Sequence, residues 1–84
     1  MKVLNLIEHN GAFEAVTNIK SDTAMLQVNG ATTLDLWVSV DGETYILHTS
    51  GISIADPDII NLVNCKFMMF LKVVSTNNVD IKLL

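Results

Sequence analysis

The sequence predicts an all-β fold: a single small antiparallel β-sandwich, jelly-roll-like, of about eight strands over residues 1–84. Three observations predict it. Apolar and polar residues alternate with a period of two along most of the chain. Turn-forming residues recur at intervals of roughly 8–12 residues. Helical periodicity is weak throughout.

The first expected strand, Val3 to Glu8, is followed across Asn10-Gly11 by Phe13 to Lys20. Thr23 to Asn29 comes after Ser21-Asp22, with Leu26 and Val28 on one face and Met25 and Gln27 on the other. Beyond Asn29-Gly30, Leu34, Leu36, Val38 and Val40 share a face, and Asp35, Trp37 and Ser39 share the opposite one. Asp41-Gly42 separates this run from Thr44 to Thr49. Both turn residues tolerate the positive φ of a type I′ turn, so a tight hairpin is expected. Ser50-Gly51 marks a turn before Ile52 to Ile54, and Asp56-Pro57-Asp58 another before Ile59 to Val63. Asp56 to Val63 also fits one helical turn with Pro57 at its start, but its β-branched residues favour strand or loop. Phe67 to Val74 and Asn78 to Leu83 come last, joined by a turn at Ser75 to Asn78 that is expected to make a hairpin.

So short a chain buries only about 60–65% of the surface its unfolded form exposes, and its stability needs a supplement. Cys65 is the single cysteine, which excludes an intrachain disulfide. His9 and His48 are the only histidines, and no spacing suits a structural zinc site. Neither cofactor nor metal is expected. Half the residues are apolar, so association with itself or a partner is the expected supplement. The chain has no Arg and a net charge of −4, which argues against nucleic acid and anionic membranes as partners. The N-terminal run is too polar for a signal-peptide core, and the longest apolar block, Phe67 to Leu71, is far below the ~20 residues that cross a bilayer. The expectation is a soluble protein assembled inside a cell.

Phe67 to Val74 breaks the one-sided pattern. If Phe67, Met69, Leu71 and Val73 face the core, then Met68, Phe70 and Val74 point the other way and need covering. Burying two or three such side chains yields several kcal/mol at ~1.5–3 kcal/mol each. The cover is either this chain's own N-terminal segment or Ile52 to Val63, or else another subunit. Trp37, on the polar side of its strand, has the same two readings: an interface anchor or ligand platform, or a core residue.

Ser39, Asp41, Gly42, Thr44 and Tyr45 approximate the Asp box, S-x-D-x-G-x-T-W, of sialidase-like propellers. There the carboxylate and hydroxyls bond backbone groups across the turn and the aromatic packs beneath it. Tyr45 stands where Trp is usual, the spacer before Gly is missing, and there is a single copy. These five residues are therefore read as a structural turn. Asp56 with Asp58, and Asp41 with Glu43, are carboxylate pairs of the kind found in solvated turns. His9 and His48 lie in separate segments with no nucleophile signature nearby, and Cys65 reads as a small buried hydrophobe. No catalytic residue is assigned, and no enzyme activity is expected.

Ala24-Met25-Leu26-Gln27-Val28-Asn29-Gly30, an apolar strand from Thr33 to Val38, the Ser39 to Tyr45 turn and the closing run Phe70 to Leu83 follow in order. Over Thr23 to Leu83 this pattern resembles a small β-sandwich module of tailed-bacteriophage virion proteins. The chain departs from that module in having Asn77-Asn78 where Gly-rich residues are common, and in its Met- and Phe-rich penultimate strand. The resemblance implies a virion structural part: a capsid decoration protein, the capsid-attached part of a head fibre, or a neck or tail accessory subunit. It also implies a homo-oligomer, a trimer foremost, contacting other virion proteins and located in the virion after assembly in host cytoplasm. The alternative is a small carbohydrate-binding module built on Trp37 and Tyr45 beside Asp35 and Asp41.

Overall fold

The computed structural model describes residues 2–55, 57–63, 65 and 69–84. Among them are nine strands and no helix. In chain order they are β1 (Lys2–Leu4), β2 (Ile7–His9), β3 (Ala12–Ile19), β4 (Ala24–Asn29), β5 (Thr32–Ser39), β6 (Ile46–Ile54), β7 (Asp58–Leu62), β8 (Met69–Ser75) and β9 (Asp80–Leu83).

The strands form two antiparallel sheets, ordered β1-β9-β4-β7 and β2-β3-β8-β5-β6. Four antiparallel pairs nest inside one another: β5 with β6, β4 with β7, β3 with β8, and β1 with β9. Wrapping this ribbon brings β4 beside β9 and β5 beside β8. That is jelly-roll winding, with β2 added at one edge. The sandwich expected from the alternation is present.

The core lies between the sheets. Leu26, Val28 and Ile81 from one sheet meet Leu34, Leu36, Leu71 and Val73 from the other, all essentially without solvent contact. Each group comes from alternate positions of its strand, so the period-two pattern translates directly into burial. Cys65 is buried at the margin of this core as a free thiol, and its backbone N–H donates to the Asp22 carbonyl at 2.8 Å. Burial, with Asp22 nearby, raises its pKa.

Four local expectations are corrected. Val3 to Glu8 is two strands: the chain passes from one sheet to the other at Asn5-Leu6. Ser50-Gly51 does not end a strand but bulges within β6. Leu34 pairs Ile52 and Leu36 pairs Thr49, which leaves Asp35 opposite both residues of the bulge. Gly51 supplies the required positive φ of 70°, and Asp35 Oδ1 accepts from Gly51 N at 2.9 Å and Ser50 Oγ at 3.1 Å. A second register shift opposite Leu36–Trp37 leaves His48 unpaired. Both irregularities fall on an edge strand, where they discourage further strand pairing.

The third correction concerns the chain end. β8 and β9 are not a hairpin, because Ser75 to Asn78 carries the chain between sheets. A buried hydroxyl cluster holds that corner. Ser75 Oγ donates to the Asn77 carbonyl at 2.6 Å, so Thr32 Oγ1 is the donor in its 2.7 Å bond to Ser75 Oγ. Thr32 Oγ1 in turn accepts from Asn77 N at 3.1 Å. Fourth, Val40 does not face the core with Leu34, Leu36 and Val38. β5 stops at Ser39, and Val40 is 86% exposed.

Candidate functional site

The Ser39–Tyr45 connection is a hairpin loop, but not the expected two-residue type I′ turn. Gly42 has φ 79°, whereas Asp41 keeps a negative φ, and β6 resumes only at Ile46. Asn10-Gly11 is the turn with both central residues at positive φ, 52° and 83°, between the paired His9 and Ala12.

In the longer loop, side chains replace the missing ladder bonds. Ser39 Oγ donates to Asp41 Oδ1 at 2.7 Å and accepts from Gly42 N at 2.9 Å. Asp41 Oδ1 also accepts from Glu43 N at 2.9 Å and Thr44 N at 3.0 Å. These donors stabilise the carboxylate: the Glu43 amide first, then the Ser39 hydroxyl and the Thr44 amide, lowering the Asp41 pKa from 3.8 to about 2. Thr44 contributes through its backbone. Beneath the loop the ring of Phe70 of β8 approaches Gly42.

The turn thus partly covers one residue of the strand expected to be apolar on both sides. Met68 lies outside the described residues, so its part in that expectation is not placed. Phe70 and Val74 are half-buried on the outer face of the five-stranded sheet, while Leu71 and Val73 face the core. Gly42 supplies intrachain cover over Phe70.

Strand register fixes the rest of that outer face. One row across the sheet runs Ile7, Glu14, Val74, Asp35, and the next runs Val16, Lys72, Trp37, Leu47. Ile7 is 71% exposed, Val16 54% and Leu47 44%. Trp37 is half-buried, and the Lys72 ammonium stands over its ring, 5.6 Å from the centroid, and 4.8 Å from that of Tyr45. Each such contact at a partly exposed site is worth ~0.5–1 kcal/mol. The face therefore combines apolar side chains, two aromatics and a cation held against them.

Sequence reasoning placed Trp37, Phe70 and Val74 here but missed Val16, Lys72, Ile7, Leu47 and Glu14. The signal for Lys72 and Val16 was parity: Lys72 alternates with Phe70 and Val74, and Val16 sits one β step from Glu14 and from Asn18. Leu47 was hidden by the bulge at His48, which resets the alternation.

Other chemistry is dispersed. His9 and His48 lie on opposite edge strands of the same sheet. Among the described residues, no three His, Cys, Asp or Glu side chains gather as a metal would need. Between the sheets, at the β6–β7 side, is a cavity of about 390 Å³. Leu36, Val38, Ile60, Leu62 and Met69 give it an apolar lining, and His48, Thr49 and Asn61 add polar groups.

Comparison with known proteins found no match. No family model, curated protein or solved structure corresponds significantly to this chain.

Proposed function

We propose that this chain is a non-enzymatic structural protein of a bacteriophage or prophage virion, self-associating, attaching to capsid, neck or tail, or both. The observation that carries the reading is the outer face of the five-stranded sheet, where Ile7, Val16 and Leu47 stand exposed around Trp37 and Val74. Covering three such side chains contributes ~1.5–3 kcal/mol each at full burial, and less for those already half-covered. A symmetric assembly gains that amount from each copy. Jelly rolls serve in capsid proteins and in lectins alike, so the topology suits the reading without selecting it. The virion assignment draws on the resemblance of Thr23 to Leu83 to phage modules. No catalysis is proposed, since Asp41 is engaged in its own loop and the two histidines are far apart in the sheet order.

Light scattering on the purified chain and on Val16→Glu tests the self-association. The parent is expected to exceed the monomer mass and the variant to fall back to it, with unchanged circular dichroism. A parent that stays monomeric at high micromolar concentration contradicts self-association. Flanking capsid, portal or tail genes are expected for the virion role. A neighbourhood of unrelated metabolic genes would count against it.

A second reading, a carbohydrate-binding module, is favoured by the gathering of Trp37 and Tyr45 around Lys72. Against it, Asp35 Oδ1 and Asp41 Oδ1, the acceptors nearest in sequence, are taken by backbone and hydroxyl donors. Glycan-array binding lost on Trp37→Ala would favour this reading over the first.

A further inference from the structure

We infer that the outer face of the five-stranded sheet docks on the same face of a second copy, with Lys72 of each copy paired to the partner's Glu14. This rests on the self-association proposed above and goes beyond it by fixing the occupant, the symmetry and the charge pair.

The register supplies the geometry. Glu14 pairs Val74 and Val16 pairs Lys72 across β3 and β8, so these four residues mark the corners of a rectangle on the outer face. Its sides are about 4.8 Å between strands and about 7 Å along them. Glu14 and Lys72 occupy one diagonal, Val16 and Val74 the other. A two-fold axis lying in the interface near the valine diagonal exchanges Glu14 with Lys72. Each ammonium then meets the partner's carboxylate, so the pair is made twice in the dimer, and each valine meets its own counterpart. That is a self-complementary, isologous contact.

Both charges are free to take such partners. Among the described residues the one ion pair is Lys82 with Asp80, at 3.8 Å. Trp37 and Tyr45 draw Lys72 toward the β5 side of β8, away from its own Glu14 on β3. The mixture of signs also bears on the occupant: a uniformly acidic partner would meet Glu14 and a uniformly basic one Lys72, whereas a second copy offers each of these two the opposite sign. Asp35 falls near the axis, where its Oδ1 is already engaged by Gly51 N and Ser50 Oγ. Size agrees as well: the molecule measures 30 × 25 × 21 Å, so its broad face approaches the ~800 Å² per partner of a standard interface. On the edge beyond Leu47, the bulges of β6 oppose association by strand addition at that edge.

Sedimentation velocity on Glu14→Lys, Lys72→Glu and their equimolar mixture tests the pairing, with the parent run beside them. The parent is expected to be a dimer, and each single variant a monomer at the same concentration. In the mixture, both cross-pairs of a heterodimer carry opposite charges, so dimer should return with an affinity within about tenfold of the parent. Glu14→Gln, which leaves the aromatic contacts of Lys72 untouched, is expected to weaken the dimer at least fivefold and to reduce its salt sensitivity. A parent dimer indifferent to all three substitutions, a mixture that stays monomeric, or a trimeric parent would overturn this contact while leaving self-association standing. A parent monomeric at every concentration would remove both.

Discussion

Phe70 on β8 lies beneath Gly42 in the β5–β6 loop: a methyl group added to Gly42 would meet the ring's Cε2 and Cζ at 3.3 Å. Through this contact the central strand of the sheet and the loop that caps its outer face support each other. It explains how one residue of a two-sided apolar strand is sheltered within a single chain.

Gly42→Ala should therefore cost stability for two reasons, its φ of 79° and the crowded ring. The left-handed backbone alone costs roughly 1–2 kcal/mol with a side chain. Gly11→Ala is the matched control, because φ is 83° there and nothing lies within 4 Å of the added group. Urea denaturation should rank Gly42→Ala below Gly11→Ala. Equal losses would mean that the Phe70 contact is loose.

Acid should open the same loop late. Asp41 has its pKa depressed from 3.8 to about 2, so its stabilising effect is complete above pH 4 and fades as pH falls through about 2. The stability difference between the parent and Asp41→Ala should narrow over that window. An NMR titration placing the Asp41 carboxyl near 3.8 would contradict the bonding described for Ser39, Glu43 and Thr44.

At the corner between β8 and β9, Ser75→Ala deletes a fully buried hydroxyl and leaves Thr32 and the Asn77 carbonyl without that partner. The expected loss is about 1–3 kcal/mol by chemical denaturation. Ser75→Ala together with Thr32→Val should cost less than the sum of the two single changes, since each single change already removes their shared bond.

Asp35→Ala should release the β6 bulge. The Gly51 amide loses its acceptor, so its hydrogen exchange should accelerate while core amides such as Val73 stay protected. Unchanged exchange at Gly51 would mean that the bulge is held by the ladder alone.

The sandwich was legible because its strands are one-sided: Leu26 and Val28, Leu34 and Leu36, and Ile81 announce the buried faces by parity alone. What parity cannot report is which sheet a strand joins. Ser75 to Asn78 has the composition of a hairpin turn, and only the burial of Ser75 against Thr32 shows the chain crossing over. Ser50-Gly51 likewise resembles a turn, because a bulge and a turn need the same positive-φ glycine. Asp41-Gly42 was rightly marked as a reversal, but the cradle formed by Ser39 lengthened the loop beyond two residues. The outer sheet face was half legible. Trp37 and Val74 stood out as oily residues on a wet side, whereas Lys72 reads as an ordinary surface charge until Trp37 and Tyr45 are seen around it.

The proposed association through the outer sheet face is tested most directly by sedimentation of the unmodified chain across a hundredfold range of concentration, alongside Val16→Glu. The mass should rise from that of one chain to that of two for the parent and remain at one for the variant. A parent that sediments as one chain throughout, or a variant that assembles as the parent does, would contradict it.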